Sequence, residues 1–547
     1  MHSCFLSQIL ADHARTRGSH PALVFLATGV DETDRLSHAE LDSRVEAVAA
    51  GLCGAALSGR SVLVALPPGA DFAVLFLACL RAGTVAIPAP YPDTFRHVDR
   101  IRAIAADARP AAIVSDEAGL ARCAIGLPGM TMKELEIAPG AAAPAEPADI
   151  AFVQYTSGST TAPKGVAITN RNLVANLTMI AESASLDAGC ISVTWLPHFH
   201  DMGLIGGLCL PLLLGGTAVA MPPQAFIKKP TRWLQAMHRY RANLSGGPSF
   251  GYDICTRRPS GDFASMDLSA WRIAYCGAER VRASVLERFS RLLAPAGFDP
   301  KAVLPCYGLA EATLMATCPV PGTGVRQVSL ERPRPAGSST FASCGPAVAG
   351  SEIRIRMPDE TWAAAGEIGE ICIRGEHVSP GLWQGERKPP RPFADRIVEG
   401  GALYLRTGDL GAMVDGELVP VDRIKDVIAV HGRKIHAADV EATVLEACDA
   451  IGGIAAVGLD EGDGERLVVL CEVRRPDMAA VDPAALAATV ANVHGMLPDV
   501  RLIVPGSLDR TSSGKVARFA CKERLLRPTT VGPGAAATVR NDEESRV

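Results

Sequence analysis

Short apolar runs recur through the first three hundred positions, and between them apolar residues fall at helical spacing. Residues 61 to 90, SVLVALPPGADFAVLFLACLRAGTVAIPAP, read as strand, helix and strand. The helix is predicted from about Asp71 to Arg81, with Gly83 as its stop signal and the next strand over Thr84 to Ile87. That order implies a parallel crossover. Further runs, AAIVSD at 111, AFVQY at 151, SVTWL at 192, TAVAM at 217, RIAYCG at 272 and AVLPCYG at 302, alternate with helical patterns. The alternation predicts layered α/β architecture with mainly parallel strands.

After about residue 345 the texture tightens to strict alternation, as in SEIRIRM, GEIGEICIRG and GELVPVDR. A smaller antiparallel sheet follows from that pattern. Residues 426 to 527 read as a separate α+β unit, with a strand in RLVVLCEVR and helices in DPAALAATVANVHGML and VARFACKERLL. The last twenty residues, PTTVGPGAAATVRNDEESRV, have the composition of a disordered tail. The predicted fold class is therefore α/β: a large N-terminal domain of layered α/β subdomains with a small β-subdomain, then a small α+β C-terminal domain. The boundaries are drawn as 1–421, 422–527 and a tail over 528–547.

One stretch imitates a membrane span: residues 202 to 226, MGLIGGLCLPLLLGGTAVAMPPQAF, carry no charge. Its prolines and glycines divide it instead into a helix, a turn at Gly215 and Gly216 and a strand, which predicts a buried core segment and no membrane span. At 547 residues the chain exceeds one core, and 54 basic against 59 acidic residues leave a net charge of −5 without long runs. No nucleic-acid footprint or polybasic anchor results. The start MHSCFLSQILADHARTR lacks the pattern of a secretory signal. Fifteen cysteines, none in a C-x-x-C pair, read as reduced core residues of a cytoplasmic protein.

Candidate chemistry begins with YTSGSTTAPKG at 155, where hydroxyls and a lysine surround glycines at the end of a predicted strand. Such a loop aims N–H, O–H and ammonium donors at phosphate, although the same composition also makes plain polar loops. It is not the P-loop of ordinary NTPases, because Pro163 removes an N–H and no hydroxyl follows Lys164 to bind Mg²⁺. In HFHDMGL, two histidines and an Asp suggest metal or acid/base work, but no further zinc ligand stands nearby.

Eight motifs occur in order: YTSGSTTAPKG, WLPHFHDMGL at 195, YCGAE at 275, CYGLAEATL at 306, GEIGEICIRG at 366, LRTGDL at 405, DRIKDVIAVHGRKIHAADVE at 422 and TSSGK at 511. Together they resemble the adenylate-forming superfamily of acyl-CoA synthetases, peptide-synthetase adenylation domains and luciferases, over about residues 5 to 527. The FHDMGL and GLAEATL forms, the LCEV strand and the CKERLL helix are most similar to the fatty acyl-AMP ligases.

That resemblance implies ATP-dependent activation of a fatty acid to an acyl-adenylate, then transfer to an acyl carrier protein, with Mg²⁺ as cofactor. It implies that Thr156, Ser157, Gly158, Ser159, Thr160 and Lys164 hold the β- and γ-phosphates and Glu311 the Mg²⁺. Gly277, Ala278 and Glu279 would line the adenine, Tyr307 stack on it, and Gly308 and Ala310 stand close to the nucleotide. Asp409 and Arg423 would contact the ribose. Lys515 would be the catalytic cation, His200 would position substrate, and Asp201, Met202 and Leu204 would line the acyl pocket. Lys425 would be the hinge of a mobile C-terminal domain. The chain departs from the family pattern at Asp422, at IHAADVE, and in a short segment over 315–343 where such ligases carry an insertion that disfavours CoA. An acyl-CoA synthetase, and a binding module without turnover, are the alternatives.

Overall fold

The computed structural model describes residues 5–137, 149–156, 163–257, 259, 263–331, 338–386, 388–430, 433–460, 465–511 and 515–526. These divide into two compact units, Met1–Lys425 with Thr511–Lys515, and Asp426–Arg510 with Val516–Val547.

Two seven-stranded sheets build the larger unit. One runs Val303–Pro305, Ile273–Cys276, Leu244–Gly247, Ile191–Thr194, Thr217–Ala220, Pro21–Leu26 and Glu32–Ser37, parallel except for the last pair. The other centres on Val85–Pro88 and Ser61–Val64, and ends in the antiparallel strands Ile150–Thr156, Lys164–Thr169 and Gly381–Leu382. Parallel strands covered on both faces must be apolar throughout, and Ser61–Val64 and Val85–Pro88 are buried at every position.

The predicted helix between those strands spans Ala70–Ala82, with every residue buried except Asp71 and Arg81. Gly83 ends it with φ of 66°, a left-handed conformation that costs a glycine nothing. Its Phe72, Leu75, Phe76 and Leu77 belong to the largest core, each worth about 1.5–3 kcal/mol when fully buried.

The uncharged stretch is buried core, as its breakers imply, but its first part forms a π-helix over Met202–Cys209, continued by an α-helix over Leu210–Leu213 and the strand Thr217–Ala220. Among the described residues no helix is long and apolar enough to cross a membrane. A five-stranded antiparallel sheet follows the change of texture, with Ser351–Arg356, Gly369–Gly375 and Glu417–Arg423 among its strands. Between the layered sheets and this one, Gln327–Glu331 pairs antiparallel with Ser338–Ala342.

The smaller unit has its own core. Strands Ile451–Asp460, Glu465–Val473 and Asp499–Ile503 carry the helices Ala437–Ala447 and Pro483–His494, and Val440, Val444, Val469 and Val490 are fully buried among them. Arg518 of the helix Arg518–Leu526 donates to both Glu441 oxygens, 2.7 Å each, which ties the end of the chain to this core.

His377 is fully buried, and its Nδ1 has no hydrogen-bond partner among the described residues. Burial pushes its pKa down to about 4. The unfolded chain takes up a proton near pH 6.5 that the folded form refuses, so this contribution is complete above that value and is lost as pH falls toward 4. Going from pH 7 to pH 5, His377 is expected to lower the unfolding free energy by about 2 kcal/mol. Urea unfolding of the wild type and His377→Gln at both pH values checks this, since equal pH losses in the two proteins would clear His377 of the effect.

Candidate active site

Thr156 and Lys164 are cross-strand partners at the loop end of a hairpin, so the phosphate-type segment connects two antiparallel strands. Ser157, Gly158, Ser159 and Thr160 lie outside the described residues. Arg100, not singled out from the sequence, donates from Nη2 to the Thr156 carbonyl at 2.6 Å. It anchors the base of the loop, and no local motif marks it.

Asp409 lies on the long strand Ala402–Val414 and faces Arg423 in register across the antiparallel pair. Arg423 Nε stands 3.0 Å from its Oδ1, while the Tyr307 hydroxyl donates to its Oδ2 at 2.8 Å. Burial and the Asp409 charge raise the Tyr307 phenol well above its ordinary range, so it remains a donor. Two residues from separate motifs therefore meet on the carboxylate of a third.

Tyr307 emerges just after the strand Val303–Pro305, and its own carbonyl accepts from Ala316 N at 2.9 Å. A Cβ on Gly308 would stand 1.8 Å from the Leu314 carbonyl oxygen, so the turn passes too close to itself for any side chain. Glu311 and Ala310 share the short 3₁₀ turn inside that loop. Thr313 closes it at φ 66°, a rare state for a β-branched residue, held by its hydroxyl donating to the His377 carbonyl at 2.6 Å. Ala278, beyond the strand Ile273–Cys276, is also left-handed with φ 68°. Strain of this kind concentrates where a site over-determines the backbone. The neighbouring Glu279 accepts from Phe250 N at 3.0 Å, at the start of the helix Ser249–Arg257.

Charged groups converge on the same region. Burial raises the Glu311 carboxyl, Arg423 opposes the shift, and Asp409 and Asp201 add to it. Lys515 belongs with the larger unit; burial lowers its pKa, while Asp201, Glu279 and Asp409 counter that and Arg423 adds to it. Burial alone would raise Asp201, yet His200 and Lys515 outweigh it and hold the carboxyl below its usual value. Cations and buried carboxylates thus share one electrostatic neighbourhood.

His200 Nδ1 lies 2.6 Å from Asp201 Oδ1, which also accepts from Met202 N at 2.7 Å where the π-helix begins. Among the described residues no three His, Cys, Asp or Glu side chains are grouped to hold a metal. His198 instead packs on Phe72, ring centroids 4.0 Å apart, and burial drives its pKa down to about 4. Met202 and Leu204 are buried in two different core clusters. Gln154, hidden in the apolar run AFVQY, was missed by periodicity; its Nε2 donates to the Phe199 carbonyl at 3.0 Å and ties this loop to the strand bearing Thr156. A lone polar residue in an otherwise apolar strand was the available signal.

Mg²⁺ fits Glu311. Buried carboxyl oxygen, with Asp409 and Asp201 adding negative potential, suits a hard cation that takes its remaining ligands from phosphate and water.

Residues 10–383 match the AMP-binding enzyme family. The chain is 33% identical to the long-chain-fatty-acid–AMP ligase FadD26 of Mycobacterium marinum, over 95% of this chain and 97% of that one. It is 34% identical to the medium-chain-fatty-acid–[acyl-carrier-protein] ligase JamA of Moorena producens, covering 96% and 95%. Among solved structures, a fatty acyl-adenylate ligase from a study of the E. coli and L. pneumophila enzymes superimposes with a TM-score of 0.85 at 31% identity, covering 95% and 97%. The L. pneumophila ligase in complex with acyl adenylate and pyrophosphate gives 0.74 at 30% identity, covering 96% of each chain.

Proposed function

The chain belongs to the AMP-binding enzymes and, within them, to the fatty acyl-AMP ligases, and from that premise we propose that it activates a fatty acid with ATP and passes the acyl group to the pantetheine thiol of an acyl carrier protein. The observation that carries the reading is the meeting of Tyr307 and Arg423 on Asp409, with Glu311 and Lys515 in the same electrostatic neighbourhood.

In this reading Asp409 accepts from the ribose hydroxyls, Arg423 holds Asp409 in place and adds a ribose contact, and Tyr307 offers its ring face to adenine beside Gly277, Ala278 and Glu279. Lys164 and the hydroxyl loop from Thr156 hold the departing pyrophosphate. Glu311 would hold Mg²⁺, which neutralises phosphate charge when bound. Lys515 bridges the fatty carboxylate and the α-phosphate as the carboxylate oxygen attacks phosphorus and pyrophosphate leaves. His200, fixed by Asp201, positions the acid, and Met202 and Leu204 wall its chain.

Residues 1–421 carry this site together with Arg423 and Lys515, and the domain that follows the hinge, to residue 527, moves between the two half-reactions. Lys425, exposed where the chain passes from one compact unit to the other, serves as the hinge. The fourteen described cysteines are free thiols, which suits the reducing cytoplasm.

The test is a product assay with ATP, Mg²⁺ and a ladder of fatty acids, adding either CoA or a pantetheinylated carrier. Acyl-AMP that persists with CoA and is consumed by the carrier is the expected result. Acyl-CoA would make the chain a CoA synthetase, and absence of acyl-AMP throughout would reduce it to a binding module.

A further inference from the structure

The scattered cysteines are not scattered in space. Tyr307 and Thr317 are antiparallel partners, with Thr317 N donating to the Tyr307 carbonyl at 3.1 Å. Carried one residue outward, the antiparallel register of that isolated bridge sets Cys306 against Cys318, at a non-hydrogen-bonded position. At such a position Cα atoms approach to about 4.5 Å and side chains lie closest. A disulfide needs a Cα separation of about 4.4–6.8 Å.

The side chains use this proximity. Cys318, Cys276 and Cys344 all stand close enough to act electrostatically on Cys306, while the thiols donate to carbonyls, Cys306 to Leu304 at 3.3 Å and Cys318 to Pro319 at 3.4 Å. Cys318 is buried while Cys306 is partly exposed, which gives one member of the pair access to a solute. Among the described residues no three such ligands are arranged for a metal.

We propose that Cys306 and Cys318 are a modification site, closing reversibly into a disulfide that locks the nucleotide-site loop between them. The loop so closed holds Tyr307, Gly308, Ala310 and Glu311. The adjacent Cys318 thiol, burial and the neighbouring Cys344 and Cys276 raise the Cys306 thiol well above its ordinary range, so the pair rests protonated and reduced at neutral pH and yields only to a strong oxidant.

With hydrogen peroxide as oxidant, the Cys306 sulfur gives its proton to water, attacks one peroxide oxygen and expels hydroxide, leaving a sulfenic acid. The Cys318 sulfur then loses its proton, attacks the Cys306 sulfur and expels hydroxide, which takes up a proton. Two thiols and one peroxide yield one disulfide and two waters. Because a disulfide favours a Cα spacing of about 5.5–6 Å, wider than the ~4.5 Å usual for such a strand position, the link pushes the two segments apart beside Tyr307. The Tyr307 contact with Asp409 is the first casualty.

The cross-link itself stands apart from the functional reading; only its effect on ATP rests on that reading. Peptide mapping of the full chain after peroxide, without reductant, is expected to show Cys306 joined to Cys318. In pyrophosphate exchange the KM for ATP is expected to rise at least ~tenfold, since displacement of about 1 Å at a site carries costs of that order or more, and to return with dithiothreitol. Cys318→Ser should keep its exchange rate and ignore peroxide, while Cys344→Ser should still respond; Cys306→Ser serves if Cys318→Ser does not fold. Failure of the 306–318 peptide to form, or pairing of Cys318 with Cys344, overturns the site whatever the activity does. A link that forms and leaves KM unchanged overturns the switch. Loss of all exchange before oxidation would count against the functional reading and leave the mapping to decide the disulfide.

Discussion

Lys515→Ala is expected to lower the rate of acyl-adenylate formation roughly 100- to 1,000-fold, about 3–4 kcal/mol of transition-state stabilisation, while ATP binding changes little. The reason is where the charge goes. Carboxylate and α-phosphate repel in the ground state and crowd further as the new bond forms, so a cation aimed between them matters most at that moment. Pyrophosphate exchange measures the rate and calorimetry the affinity; an equal loss in both would make Lys515 a binding residue only. Burial lowers the Lys515 pKa, so its ammonium is lost at lower pH than that of an exposed lysine. The alkaline limb of the rate profile should therefore lie closer to neutrality than ordinary lysine would place it, and Lys515→Arg should remove that limb.

Asp409→Ala ranks second. It strips the acceptor from the Tyr307 hydroxyl and the counter-charge from Arg423 in one step. A buried donor left without a partner costs about 1–3 kcal/mol. Affinity for ATP is expected to fall ~10- to 100-fold, about 1.4–2.8 kcal/mol, with a lowered melting temperature. Asp409→Asn keeps an acceptor for Tyr307 but loses the charge, so it should recover most of the stability and little of the affinity. Normal ATP binding by either variant would exclude the ribose role.

Periodicity was a good guide wherever burial is uniform. The helix Ala70–Ala82 and its flanking strands stand within a residue or two of where the apolar run puts them. It failed where neighbours outweigh composition. Glu32–Ser37, ETDRLS, is an edge strand with little to bury, and Leu244–Gly247 ends in two glycines; neither looks like a strand in isolation. The π-helix at Met202 was equally hidden, because apolar spacing marks a helix without fixing its pitch.

The motifs named candidate residues, and the fold supplied the relations among them. Nothing local to LRTGDL says that Asp409 receives a phenol from a residue 102 positions earlier. Nor does cysteine spacing reveal that the segments after Cys306 and before Cys318 pair through Tyr307 and Thr317, since the turn between them is built from Gly308 and a strained Thr313.

The carboxamide of Gln154 makes the loop that presents His200 and the strand that ends at Thr156 a single baseplate. On the proposed assignments, one end of that plate seats the acid and the other the triphosphate. Two reactants docked on the same rigid piece have their separation set before either arrives, and the encounter between them takes place at an effective concentration no solution can reach. A side chain that touches neither substrate then acts as the ruler for the reaction.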